Sequence, residues 1–299
     1  GMTSHAAVVA RGMGKCCVTG CSDLEINITD KVVYYKGGSL YEGDIISVDG
    51  AKGDIYFGEV ETIQAERSHA FEKFMQWSEE NARLDVRMNA ETAQDIQAGY
   101  QFGAKGIGLV RTEHMFFAPE RLIEMRRFIL SDTQDKRIAA LNTIKQYQKN
   151  DFEEILKLSG ERPTIIRLLD PPLHEFLPNS NNEKATVAEQ LNVTIKELDQ
   201  YIESLNEVNP MLGHRGCRLA ITYPELYIMQ AEAIIESALE LKAQGVSCQP
   251  EIMIPLVSTV AEFTTLKAQI ISRIETLQQE AGEHIHYMIG TMIETPRAC

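Results

Sequence analysis

From residue 84 onward the chain repeats one pattern, a short β-prone run followed by ten or more residues of helical periodicity, and few architectures accept it. The runs lie at 84–88, 106–110, 164–170, 251–257 and 287–294. Each is short, rich in Ile, Leu, Val and Met, and followed at once by polar residues. A strand that leaves through a helix and returns as a strand lies parallel to the one it left, with helices covering the sheet. The expected fold class is therefore α/β, and residues 84–299 read as a truncated (β/α)8 TIM barrel holding about six of the eight strands. An unclosed barrel exposes strand edges and part of its core.

The first part of the chain has a different texture. Runs at 31–35, 42–50 and 53–58 are β-prone and broken by Gly and Asp, and Asp49-Gly50 followed by Gly53-Asp54 is a strong hairpin signal. Residues 1–66 thus read as part of a small β-rich domain, and 67–83, with Trp77, as a linker helix. Within it, Thr3 and Ser4 are good N-cap types, Ala6 to Arg11 can propagate a helix, and Gly12 or Gly14 can stop it. His5 then falls at a helix start, where outward N–H groups disfavour an imidazolium and welcome an anion. On position alone, a capping or surface histidine and a phosphohistidine both remain open.

Composition narrows the function classes. With 29 basic and 43 acidic residues the net charge is −14, which argues against a nucleic-acid partner. An anionic substrate must then be met by a local cluster of arginines. Arg111, Arg167 and Glu294 each lie on or just after a different β-prone run, so a barrel would bring them to one end. Arg167 is the most telling, because a cation in an apolar strand is costly unless its surroundings pair with it. On spacing alone the alternative, that each arginine bridges two structural elements, stays open. No apolar run approaches the ~20 residues of a membrane span, and no secretory signal is visible. Six cysteines show no paired CxxC pattern, and Cys16 and Cys17, in an apolar stretch, are expected to be buried, reduced thiols. Gly1 precedes Met2 within the His5 segment, so the chain reads as an internal fragment.

Several segments carry a family resemblance. The stretch Thr3-Ser4-His5-Ala6-Ala7-Val8-Val9-Ala10-Arg11-Gly12-Met13-Gly14-Lys15-Cys16-Cys17-Val18 resembles the phosphohistidine signature of the pyruvate phosphate dikinases. So do Arg111-Thr112-Glu113-His114-Met115-Phe116-Phe117, Arg167-Leu168-Leu169-Asp170-Pro171-Pro172-Leu173-His174-Glu175-Phe176, Asn209-Pro210-Met211-Leu212-Gly213-His214-Arg215-Gly216 and Gly290-Thr291-Met292-Ile293-Glu294-Thr295-Pro296-Arg297-Ala298. Phosphoenolpyruvate synthases and the phosphotransferase-system enzyme I share the Thr/Ser-x-His skeleton but usually lack the Met-Gly-Lys-Cys-Cys and His-Met-Phe-Phe continuations.

The resemblance implies the reaction ATP + phosphate + pyruvate to AMP + pyrophosphate + phosphoenolpyruvate, with His5 the phosphoryl carrier on a swivelling β/β/α domain. It implies Arg111 and Arg167 on the substrate phosphate, Arg215 as a further cation, and Glu294 as a ligand of Mg²⁺. A monovalent cation, K⁺ or NH₄⁺, belongs to the parent enzyme on the same grounds. Thr3 matches the position at which plant-type members are switched off by phosphorylation. An ATP-grasp domain handling ATP and AMP is expected before Gly1. A Gly-Thr-Asn-Asp segment and the cysteine that protonates the enolate are expected after Cys299, which is not that cysteine. The expected state is a cytoplasmic homodimer without membrane or nucleic-acid partners, with plastids and specialised organelles as alternative compartments. The alternatives in function are a phosphoenolpyruvate synthase or enzyme I relative, and a truncated module that binds phosphoenolpyruvate without turnover.

Overall fold

The computed structural model describes residues 7, 10, 15–61, 69–205, 209 and 213–299. The expectations for Thr3 and His5 fall outside the described residues. The chain divides into two compact units, Gly1–Asn81 and Ala82–Cys299.

In the first unit, β1 (Glu25–Asn27), β2 (Val32–Tyr35) and β3 (Gly38–Tyr41) form an antiparallel three-stranded sheet. Strands β4 (Ile46–Asp49) and β5 (Asp54–Phe57) form the hairpin expected from the Asp-Gly and Gly-Asp pairs. Asp49 Oδ1 accepts from the backbone N–H groups of Ala51 and Lys52 at 2.9 and 3.1 Å, which closes the turn as an Asx motif. The Tyr35 and Phe57 rings, 4.9 Å apart, tie the two sheets together. Helix α1 (His69–Asn81) shows that the stretch 67–83 is largely helical, and it has no buried residue.

The cysteine expectation fails here: Cys16 is exposed and Cys17 only half-buried. Their segment is not a strand. One side of it runs so close to the hairpin turn that a Cβ on Gly50 would lie 3.2 Å from the Cys17 backbone, and the Cys16 side chain faces solvent. An apolar run pairs into a core only when something covers it.

The second unit is built on a parallel sheet of five strands among the described residues. The elements run β6 (Met88–Asn89), α2 (Ala93–Gln101), β7 (Ile107–Arg111), α3 (Pro119–Ile129), α4 (Gln134–Ser159), β8 (Pro163–Arg167), α5 (Asn181–Leu191), α6 (Ile195–Leu205), α7 (Cys217–Thr222), α8 (Pro224–Ala243), β9 (Gln249–Ile254), α9 (Val260–Ala281) and β10 (Met288–Thr291). Local signals set several boundaries. Thr92 with Asp95, and Thr259 with Glu262, form capping boxes at the starts of α2 and α9. Pro119 and Pro224 open α3 and α8, and Gly282 ends α9 at φ 67°.

The strands lie in chain order, β6-β7-β8-β9-β10, each parallel to the next. Five strands, not six, are present among the described residues, because the stretch from β8 to β9 contributes four helices and no strand there. The sheet ends in two edges, β6 and β10, and Met288 and Ile293 are more than half exposed near the β10 edge.

Alternation along the strands separates two faces. Thr164 and Ile166 of β8 and Ile252 and Ile254 of β9 are buried at 0–1 % exposure, while Ile165, Glu251 and Met253 between them are half-buried. The buried positions belong to the core formed with Met125, Phe128, Ile144, Phe152, Tyr227, Ile234 and Ile270 of the helices. Full burial of side chains of this size contributes roughly 1.5–3 kcal/mol each, so this layer carries the unit. The other face, whose outer positions include the Arg87–Glu251 ion pair at 2.7 Å, remains free for chemistry at its strand ends.

Candidate functional site

Arg111 ends β7 and Arg167 ends β8, and the parallel register sets them opposite one another, with Met253 and then Gly290 continuing the row. Both guanidinium groups therefore leave the sheet at its C-terminal edge, where parallel α/β sheets place their ligands. Arg111 Nη1 lies 3.2 Å from Glu91 Oε1, and the other Glu91 oxygen bonds His114 Nδ1. Arg167, 8 % exposed, pairs with Glu113 and, at 3.1 Å, with Asp170 Oδ2. Asp170 is shared: Arg215 Nη2 approaches the same Oδ2 at 2.5 Å. Three of the four arginine and glutamate positions expected from the sequence thus sit in carboxylate-held groups at this end of the sheet: Arg111 with Glu91, and Arg167 and Arg215 joined through Asp170, with Glu113 also on Arg167.

Glu294 follows β10 and reaches the same end of the sheet. Its Oε1 accepts the Leu256 N–H at 2.7 Å, and its near neighbour Met292 places Sδ 3.9 Å from Arg167 Nη1. Leu256 is held at φ 63°, a left-handed conformation that non-glycine residues seldom adopt. The turn opening α7 supports it there. Gly216 sits so near that an added Cβ would lie 2.8 Å from Leu256 Cβ, and the Cys217 thiol donates to the Leu256 carbonyl at 3.3 Å. Burial, with Glu262 adding to it, pushes that thiol up to about 11, so it serves as a neutral donor.

Among the described residues no group of three or more His, Cys, Asp or Glu side chains could hold a metal ion. A lone carboxylate at a strand end is nonetheless a donor set that Mg²⁺ accepts, since this ion is commonly held by one or two carboxylates together with substrate phosphate oxygens and water. Glu294 fits that role as the protein's own contribution.

The sequence reading did not single out Glu113 and Asp170, although both lie within the quoted segments. The parallel register brings Glu113 to Arg167, whereas Asp170 reaches it from three residues further along the same segment. Two atoms of this group stand out: Glu113 Oε2 and Arg167 Nε are buried with no hydrogen-bond partner among the described residues. A charged network in this state is poised for a ligand that can complete it.

Comparison with known proteins agrees with this architecture. The family model described as PEP-utilising enzyme, PEP-binding domain, matches residues 65–299, and the PEP-utilising enzyme mobile domain matches residues 1–53. The chain belongs to the family of PEP-utilising enzymes. It is 48% identical over 299 residues to pyruvate, phosphate dikinase of Clostridium symbiosum, matching 100% of this chain and 34% of that protein. Identity is 45% to the pyruvate, phosphate dikinase of Giardia intestinalis over 100% of this chain and 34% of the relative, and 46% to the chloroplastic pyruvate, phosphate dikinase of Mesembryanthemum crystallinum over 100% and 32%. The chain spans about a third of the length of these curated relatives.

Proposed function

We propose that the chain carries the phosphoenolpyruvate and pyruvate half of a dikinase reaction, and that the strand-end arginine network is its phosphate site. The observation that carries this reading is the convergence of Arg111, Arg167 and Arg215 at one edge of the sheet, each held by a carboxylate. Guanidinium groups match phosphate oxygens in pairs of parallel N–H bonds and remain charged at any working pH. On this reading the five-stranded sheet is part of a (β/α)8 barrel, residues 1–66 belong to a mobile domain, and 67–83 link the two.

The chemistry follows from the charges. His5 accepts the phosphoryl group of phosphoenolpyruvate: the bridging P–O bond breaks, a P–N bond forms on the imidazole, and the enolate left behind takes a proton at C3 to become pyruvate. Arg111 and Arg167 hold the phosphate oxygens and meet the charge that spreads over them in the transition state. Arg215, fixed through Asp170, adds a third cation. Mg²⁺, when bound, supplies Lewis-acid stabilisation of the phosphate and the enolate oxygen, and Glu294 is the residue that would hold it. In the full reaction, ATP and phosphate load His5, and pyruvate collects the phosphoryl group to leave as phosphoenolpyruvate. Thr3, two residues before His5, is a regulatory phosphorylation site on the same reading, because a second phosphate would crowd the carrier with like charge.

The dikinase assignment brings with it a homodimer in the parent enzyme, a requirement for K⁺ or NH₄⁺, and a cytoplasmic or plastid setting. No helix among the described residues is long and apolar enough to cross a membrane. Calorimetric titration of the chain with phosphoenolpyruvate in Mg²⁺ buffer tests the site directly. The expected outcome is a single saturable binding event that inorganic phosphate weakens, and absence of binding would overturn the reading.

A further inference from the structure

Helix α8 buries an almost unbroken apolar face, including Leu226, Ala233, Ile234 and Ala238, yet Gln230 sits in its middle at 0 % exposure. An amide costs free energy in such a place unless both its ends are bonded. Both are. Gln230 Oε1 accepts the Leu169 N–H at 2.8 Å, and Gln230 Nε2 donates to Thr112 Oγ1 at 3.1 Å. Thr112 in turn donates its hydroxyl proton to the Arg167 carbonyl at 3.0 Å. One turn earlier on α8, the Tyr227 hydroxyl donates to the Leu169 carbonyl at 2.7 Å, and burial keeps that hydroxyl protonated.

The location of these bonds gives them a purpose. Thr112 directly follows Arg111, and Leu169 lies between Arg167 and Asp170. The last ladder bond in this part of β8 runs from Leu168 N–H to the Met253 carbonyl at 3.0 Å, and beyond it the Leu169 backbone is bonded by α8 side chains. The amide therefore reads two strands at once, and a shift of β7 against β8 breaks one of its ends.

We propose that Gln230 is a positioning residue, which from helix α8 sets the spacing of the β7 and β8 ends and with it the geometry of Arg111, Arg167 and Asp170. It touches no substrate. The inference rests on the reading of those arginines as a phosphoenolpyruvate phosphate site, and it adds to that site a residue of helix α8 that is bonded to both strand ends and to neither arginine side chain.

The test is calorimetric titration of the full chain with phosphoenolpyruvate in Mg²⁺ buffer, alongside thermal unfolding, for the parent and four variants. Gln230→Met keeps the volume and loses both bonds, and the expected result is a ten- to hundredfold (~10²) weaker affinity in a protein that still unfolds cooperatively. Gln230→Glu separates positioning from packing. A protonated carboxyl both accepts and donates like the amide, whereas an ionised one can only accept. Its affinity relative to the parent is expected to stay near unity in acid and to fall as the carboxyl ionises, a pH profile that a purely structural role would not produce. Thr112→Val should reproduce the loss and Thr112→Ser should not. If Gln230→Met fails to fold, the Gln230→Glu profile and the Thr112 pair decide the matter alone. A folded Gln230→Met with parental affinity, or a flat Gln230→Glu ratio with Thr112→Val equal to Thr112→Ser, overturns the inference while the phosphate site stands. A parent chain that binds no phosphoenolpyruvate removes both.

Discussion

Two charge networks of similar make-up flank the same sheet, and they are finished to different degrees. On the helical side, Lys145 bonds Glu232 and Glu236 at 2.7 and 2.5 Å, Lys149 bonds Glu236 and Glu240 at 3.4 and 2.7 Å, and Arg273 closes on Glu232. At the strand ends, Arg167, Glu113, Asp170 and Arg215 are packed more deeply, with side chains 5–16 % exposed. Only the strand-end network leaves atoms orphaned, Arg167 Nε and Glu113 Oε2, among the described residues. The helical network closes on itself and ties α4, α8 and α9 together. The strand-end network bears the desolvation cost of buried charge without complete pairing, a state retained where a ligand supplies the missing partner.

Removing Arg167 should break that contrast most severely. Arg167→Met strands Glu113 as a buried carboxylate and leaves Asp170 to Arg215, so stability should fall by about 3–5 kcal/mol in urea denaturation. Phosphoenolpyruvate affinity should fall at least ~100-fold under conditions where the variant remains folded. A folded variant that binds as the parent does would strip the strand-end network of its role.

Glu294→Gln sharpens the comparison by removing charge while keeping an oxygen to accept the Leu256 N–H. The Mg²⁺ concentration that half-supports phosphoenolpyruvate binding should rise about tenfold or more. An unchanged Mg²⁺ dependence would mean that the carboxylate serves only the Leu256 turn.

The helical network should respond in stability alone. Burial by itself would raise the Glu232 carboxyl, but Lys145 and Arg273 outweigh it and hold the group below its ordinary value. The folded state then binds this proton at lower pH than the unfolded chain does. Its stabilisation is present above the ordinary carboxylate value of about 4.3 and is lost as pH falls through the lower folded one. Glu232→Gln should therefore cost ~1 kcal/mol near neutral pH, flatten the acid limb of the stability curve and leave phosphoenolpyruvate affinity untouched.

A pair of buried amides offers the smallest effect. Gln148 lies at 1 % exposure on α4 with neither side-chain polar atom bonded among the described residues, whereas both ends of Gln230 are used. Gln148→Met should raise stability by up to ~1 kcal/mol in thermal or urea unfolding, because it removes a buried amide with no bonds to lose.

Much of this architecture was legible in the residues. Alternating β-prone and helical runs declared the parallel sheet, the Asp-Gly and Gly-Asp pairs declared the β4–β5 hairpin, and a cation inside the apolar run 164–170 pointed to the strand-end site. What escaped depends on register and covering. Glu113 pairs with Arg167 only once β7 and β8 are aligned, Asp170 meets Arg215 only in the folded chain, and Gln230 lies some sixty positions further along, within an apolar helix, at a spacing no periodicity marks. Cys16 read as buried because apolar neighbours promise a core, but burial requires a second surface, and none covers it. About six barrel strands were expected where the residues show only five β-prone runs, and five strands form the sheet among the described residues.

The most direct test of the account is labelling of the chain with ³²P-phosphoenolpyruvate and Mg²⁺, run beside His5→Ala and Arg167→Met. The account predicts an acid-labile, alkali-stable label on the parent chain, absent from His5→Ala and strongly reduced in Arg167→Met, with pyruvate released in equal amount. A label that persists in His5→Ala, or a parent chain that binds phosphoenolpyruvate and never becomes labelled, would contradict it.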